Sequence, residues 1–153
     1  MRIFALFLSE ITLKISDNSN IDIKDLQSLI DALKARHDYF HYMGCRLSDH
    51  GLEEMYSNSF KKSEIKKIFS SIRSGVSVSR KKLLKFKSAL LKYLAEMDHE
   101  KGWTQQFHLG ALRDNNSRMV SVLGPDTGFD SIGDKEMAKP LSRFLNSLDK
   151  TNS

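Results

Sequence analysis

A chain of 153 residues is one domain's worth, able to bury roughly 68–70% of its unfolded surface if it folds alone. Its 40% apolar and 28% charged content exclude collagen-like and wholly disordered classes. The net charge is +5, and one cysteine, Cys45, excludes an internal disulfide and suits a reducing compartment, with the cytoplasm as the expected location.

The opening Met1-Arg2-Ile3-Phe4-Ala5-Leu6-Phe7-Leu8 begins like a signal peptide. Ser9 and Glu10 interrupt it before a hydrophobic region of about 7–15 residues has formed, and no small-residue cleavage pattern follows. No run approaches the roughly 18 apolar residues of a membrane helix, so the start reads as a buried amphipathic element of a soluble protein.

From Asp22 onward, Leu26, Leu29, Ile30, Leu33, His37 and Phe40 recur at spacings of three and four, which predicts a helix over 23–43 with that stripe buried. Gly44 closes it. The stretch Gly44-Cys45-Arg46-Leu47-Ser48-Asp49-His50-Gly51 moves from apolar to charged within a strand's length. A strand over 46–49, its start buried from Cys45, would deliver Ser48, Asp49 and His50 to its carboxyl end, where α/β folds keep their chemistry.

Leu52 to Tyr56 reads as a short helical turn, and Ser57-Asn58-Ser59 as a break. Ser63, as N-cap, then opens a helix with Ile65, Ile68, Phe69 and Ile72 on one face, stopped at Gly75. Ser77 or Ser79 starts a longer helix faced by Leu83, Phe86, Leu90, Leu94 and Met97, fading by Gly102. Between Lys61 and Lys92 stand eleven Lys or Arg and one acid, Glu64, leaving the rest of the chain net acidic. Such a block can hold nucleic acid or another anionic partner, but a solvated helix face is the commoner outcome, and Phe60, Phe69 and Phe86 fit apolar helix positions rather than base stacking.

Trp103 to Ala111 carries the β-favouring Trp, Thr and Phe and predicts a second strand with His108 near its far end. Arg113 to Asn116 is a polar loop, Gly124 to Asp134 is loop chemistry throughout, and a last amphipathic helix covers 138–148. Alternating helices and strands predict an α/β fold whose two strands lie parallel and adjacent.

His50 and His108 would then end two strands opening on one rim, where neutral imidazoles can bind zinc or another divalent ion, or move protons near neutral pH. The plainer alternative gives each a hydrogen bond to a neighbouring loop. His37, His41 and His99 fall on helices or a helix end and read as packing or surface residues. Arg113, just past the second strand, can grip a carboxylate in bidentate fashion or be an ordinary surface arginine. The loop over 124–134 could cover a ligand but lacks a Gly-Lys-Ser/Thr phosphate motif, and no nucleophile elbow supports a Ser-His-Asp hydrolase.

Four blocks carry a resemblance: Arg-His-Asp-Tyr-Phe-His (36–41), Gly-Cys-Arg-Leu-Ser-Asp-His-Gly (44–51), Trp-Thr-Gln-Gln-Phe-His-Leu-Gly-Ala-Leu-Arg-Asp-Asn-Asn (103–116) and Leu-Gly-Pro-Asp-Thr-Gly-Phe-Asp-Ser-Ile-Gly-Asp (123–134). With Phe86-Lys87-Ser88-Ala89 and Glu96-Met97-Asp98, the chain from about Asp22 to Asp149 resembles uronate (glucuronate) isomerase, of the amidohydrolase superfamily. The resemblance implies a helix-rich portion of a (β/α)8 TIM barrel around its fifth and sixth strands, with residues 1–153 a single segment of the catalytic domain and 1–21 carrying little of the match. It implies aldose–ketose isomerisation of hexuronates, glucuronate to fructuronate and galacturonate to tagaturonate.

The same resemblance lands metal-binding strand-end histidines on His50 and His108. It makes His50 and Asp49 the catalytic candidates and Arg113 and Arg46 the substrate-binding ones. The implied cofactor is a divalent metal, zinc for preference, and the implied partners are a hexuronate and either the missing barrel segments or further copies of the chain. The family's His-x-His pair from the first strand and the aspartate-bearing last strand are absent, so the isolated chain is expected to have little or no activity. The rival reading is a non-catalytic basic helical protein binding nucleic acid.

Overall fold

The computed structural model describes residues 2–150, with side chains from Glu10 onward. Ten elements follow in order: α1 Arg2–Ser19, α2 Leu26–Tyr42, β1 Leu47–Leu52, α3 Lys62–Arg73, α4 Arg80–Lys101, β2 Thr104–Leu109, β3 Ala111–Leu112, α5 Ser117–Leu123, β4 Ser131–Ile132 and α6 Ala138–Asp149. The expected buried face at 1–8 lies outside the described side chains.

Helix α2 starts at a reciprocal cap. The Asp25 carboxylate accepts from the Ser28 amide at 2.9 Å, and Ser28 Oγ accepts from the Asp25 amide at 2.9 Å. The predicted stripe is buried at Leu26, Leu29 and His37 and partly buried at Ile30 and Leu33, and Ala32, outside it, is buried as well. Phe40 departs from it, 45% exposed, with the Arg36 guanidinium 5.1 Å over its ring.

Helices α3 and α4 complete that core. Ile65, Ile68, Phe69 and Ile72 of α3 meet Phe86 and Ala89 of α4, together with Ile23, Leu26 and Leu29. The Phe69 and Phe86 rings stack at 6.0 Å, and both side chains are fully buried. Lys61, rather than Ser63, takes the N-cap position of α3 and makes no side-chain cap bond. Ser79 caps α4, and Gly102 ends it in the left-handed conformation.

A second core joins the sheet to α4 and α6. Met55, Tyr56, Leu91, Ala95 and Phe144 are buried there, with Leu52, Phe107 and Leu109 packed against them. The expected helical turn at 52–56 is therefore corrected. Leu52 closes β1, and the chain after it stays non-helical so that Met55 and Tyr56 can enter this core.

Strands β1 and β2 are parallel, from Leu47 opposite Thr104 to Leu52 opposite Leu109. This confirms a helix-rich α/β fold with two parallel strands. Strand β1 begins later than expected, and Cys45 is exposed before it rather than buried at its start. Two further features lay outside the sequence reading: α5, capped by the Asn116 side chain on the Met119 amide at 3.1 Å, and a two-residue antiparallel pair in which Ala111 faces Ile132 and Leu112 faces Ser131. The 124–134 segment is thus not loop throughout. No helix among the described residues is long and apolar enough to cross a membrane.

Candidate active site

Exposure alternates residue by residue along both strands, so one face of the pair lies on the helices and the other is open. Side chains of partnered residues in parallel strands share a face. Register then puts Leu47, Asp49 and Gly51 with Thr104, Gln106 and His108 on the open face, and Ser48, His50 and Leu52 with Gln105, Phe107 and Leu109 on the covered one.

That division corrects the expectation that His50 and His108 share a rim. His50 pairs with Phe107 and His108 with Gly51, so the two imidazoles leave the sheet in opposite directions and do not converge on one ion. The cause is the two-residue period of a strand. Asp49 and His50 are chain neighbours and cannot serve the same face.

On the open face, His108 Nδ1 lies 2.7 Å from Asp49 Oδ1. Arg113 joins them from the segment after β3. Its Nη2 stands 3.1 Å from the point where a Cβ on Gly51 would sit, so the missing side chain of Gly51 is what lets the guanidinium lie over β1. Arg113 Nη1 donates to Asp130 Oδ2 at 2.7 Å, and Asp126 Oδ1 is 3.9 Å from the same nitrogen. The β3–β4 pairing brings Asp130 there, and the Asp114 amide holds its other oxygen at 3.0 Å. Gly110, at φ 83°, makes the turn from β2 into β3, and a Cβ there would stand 2.6 Å from Met137 Sδ.

The covered face carries a buried polar chain. Asp98 of α4, 3% exposed, receives Ser48 Oγ–H at 2.6 Å and faces His37 Nε2 at 3.0 Å. Ser48 Oγ is in turn 3.2 Å from His50 Nε2, and Gln105 Nε2 is 3.3 Å from the same ring nitrogen. Trp103 packs its ring 4.0 Å from that of His37 and donates Nε1–H to His41 Nδ1 at 2.9 Å. Burial holds the His50 imidazole below its ordinary pKa, opposed by the nearby Asp98 and Asp49 charges.

Arg46 lies just before the amino end of β1, donating to the carbonyls of His41 at 2.9 Å and Cys45 at 2.6 Å. It is not brought together with Arg113, which lies beyond the carboxyl end of β2. Among the described residues no group of three or more His, Cys, Asp or Glu is placed to hold a metal ion. Sequence reasoning passed over Asp130, the clearance at Gly51 and the Asp98–Ser48 link. The two-residue period of a strand was the available signal that Asp49 and His50 face opposite ways, whereas nothing in the sequence announced the pairing that carries Asp130 to Arg113.

The family model for glucuronate isomerase matches residues 4–153 of this chain. The chain is 56% identical to the uronate isomerase of Bacteroides fragilis over 135 residues, 88% of this chain and 29% of that protein. It is 52% identical to the uronate isomerase of Cellvibrio japonicus over 139 residues, 91% of this chain and 30% of that protein. Among solved structures it superposes on uronate isomerase from Thermotoga maritima with a TM-score of 0.83 at 28% identity, covering 92% of this chain and 32% of that one. On glucuronate isomerase from Caulobacter crescentus it superposes with a TM-score of 0.79 at 25% identity, covering 92% and 29%. The chain thus spans about three tenths of the length of these relatives, and the match includes nearly all of α1, where the sequence alone carried little. A chain matched by the family model along almost its whole length, and by solved members in the arrangement of its helices and paired strands, belongs to the glucuronate isomerase family.

Proposed function

We propose that this chain is one segment of the TIM-barrel catalytic domain of a cytoplasmic uronate isomerase. On this reading the open face of β1 and β2 is part of the wall of the hexuronate site. The substrates are glucuronate and galacturonate, interconverted with their ketose forms. The observation that carries the reading is the 2.7 Å Asp49–His108 contact on the face over which Arg113 lies.

Moving a carbonyl between neighbouring carbons requires an open-chain sugar held in place and a base that carries a proton from one carbon to the next. In the neutral tautomer that carries its proton on Nδ1, His108 donates that N–H to the Asp49 carboxylate and keeps its lone pair on Nε2, the atom proposed to accept and return the substrate proton. Asp49 holds that tautomer and stabilises the imidazolium formed in between. Arg113, pinned through Nη1 by Asp130, keeps its remaining donors for the uronate carboxylate. A neutral sugar would leave that guanidinium unpaired in a closed site, which selects for uronic acids.

His50 is assigned to the covered face, where it supports β1 from behind. Arg46 is assigned to tying the end of α2 to the start of β1. A divalent metal, zinc for preference, is proposed for the whole enzyme only. Among the described residues of this chain no group of three or more potential ligands is placed to hold it.

The test is a chimaera in which this chain replaces the matching segment of the Bacteroides fragilis relative. Turnover of glucuronate by the folded chimaera is the expected result. A chimaera that folds and closes normally yet turns over neither glucuronate nor galacturonate overturns the assignment.

A further inference from the structure

On the helical side, away from the open strand face, a cavity of about 500 Å³ opens between the segment after β1, helix α4 and helix α6. That volume falls in the range of small-molecule sites, roughly 300–1,000 Å³. Four rings wall it: Tyr56, Phe60, Tyr93 and Phe144. They are already braced, Phe60 edge-on to Tyr93 at 6.4 Å and Phe144 edge-on to Phe107 at 5.7 Å, and Tyr56 and Phe144 are buried. The walls therefore need no collapse to form.

Charge at the cavity is one-sided. Lys62, Lys92 and Arg143 line it against a single carboxylate, Glu96. Glu96 lies 3.8 Å from Lys92, while Lys62 and Arg143, exposed at the mouth of the cavity, have no acidic partner among the described residues. Among the described residues the Arg143 side chain is held by a 3.4 Å contact from Nε to Ser57 Oγ, with no bond made by its Nη donors. Flat apolar walls with two uncompensated cations complement a flat apolar body carrying one negative group. A planar guanidinium favours a carboxylate, which it can meet with two parallel hydrogen bonds.

We propose that this cavity binds a small aromatic carboxylate, its ring laid against the partly exposed Phe60 and Tyr93 and its carboxylate on Arg143 and Lys62. The site is separate from the hexuronate face and does not rest on the reading of that face. Glu96, on the wall of the same cavity and paired with Lys92, weakens the binding by like-charge repulsion of the bound carboxylate.

The probe is 2-naphthoate, titrated into the full 153-residue chain and followed by amide chemical shifts. Saturable shifts confined to residues 56–62, 88–96 and 143–147, half-complete below about 1 mM, are expected. Neutral 2-naphthamide should bind about tenfold more weakly or not at all. Arg143→Gln and Lys62→Gln should each weaken naphthoate several-fold, and Glu96→Gln should tighten it. These residues are not in either core, and the opposite sign at Glu96 separates binding from a general loss of fold. Absence of saturation at several millimolar, equal binding of the amide, or shifts centred elsewhere overturns the proposal. So does a concentration-dependent doubling of tumbling time with the same amides shifted and no probe present, which would make the occupant a second copy of the chain.

Discussion

At Gly51 a methyl group would stand 3.1 Å from Arg113 Nη2, tighter than ordinary contact but against the free end of a flexible side chain. Gly51→Ala should therefore displace the guanidinium while leaving the unfolding free energy within about 0.5 kcal/mol of the parent. Arginine side-chain NMR together with urea denaturation checks both halves; an unmoved Arg113 signal would contradict the clearance role. His50 makes a pH prediction. Its folded pKa is depressed by burial, so above the unfolded value of about 6.5 both states are neutral and the group contributes no pH dependence. As pH falls below that value the unfolded chain gains the proton first, and stability drops until the lowered folded pKa is passed. Urea titrations between pH 5 and 7.5 should show a smaller loss for His50→Gln than for the parent. An identical slope in the two proteins would contradict the burial of His50 on the covered face.

What was legible at this scale was residue type, not residue direction. His108, Asp49 and Arg113 stand out as chemistry-bearing side chains next to predicted strands, and the structure places all three on one side of the sheet. His50 stands out equally, but the two-residue period of the strand turns it to the other side. A histidine beside an aspartate in one strand cannot be sorted by type alone. Its face depends on where the strand begins and on which neighbour covers it.

Helices α3 and α4 were readable because each carries an unbroken apolar stripe over three turns or more, and those stripes form the larger core. Phe69→Ala in that core should cost about 3–5 kcal/mol, measured by chemical denaturation. A loss under about 1 kcal/mol would mean the α3–α4 contact is not the centre of packing. Strands β3 and β4 were unreadable for the opposite reason: two residues each give no period, and their pairing is fixed by the turn at Gly110 and by its carbonyl accepting from the Gly133 amide at 2.7 Å. The covered-face chain makes a separate prediction about how elements are joined. Asp98 links α4 to β1 through Ser48 and to α2 through His37, so Asp98→Ala should destabilise by about 3 kcal/mol. A variant as stable as the parent would show that the link carries no energy.

For the molecule as a whole, two parallel strands present open edges and an uncovered polar face, while the helices behind them form a continuous support. The family resemblance was carried by blocks from both long strands and the loops after them together with stretches of α2 and α4, and the bracketing of each strand by helices made the α/β order legible. On the proposed reading a closed sheet would need more strands than the pair these residues form, and neither strand carries a signal for it. Consistent with that, the isolated chain is predicted to show no measurable isomerisation of glucuronate under conditions where the chimaera turns over.

On the proposed mechanism, proton transfer belongs to His108 on the open face rather than to His50, the most conspicuous histidine of the first strand. In the chimaera, kcat/KM for glucuronate measured for His108→Asn and His50→Asn side by side decides it. The account predicts a loss of about 10²–10⁴-fold for His108→Asn and less than about tenfold for His50→Asn. A large loss at His50 with near-normal turnover at His108 would contradict it.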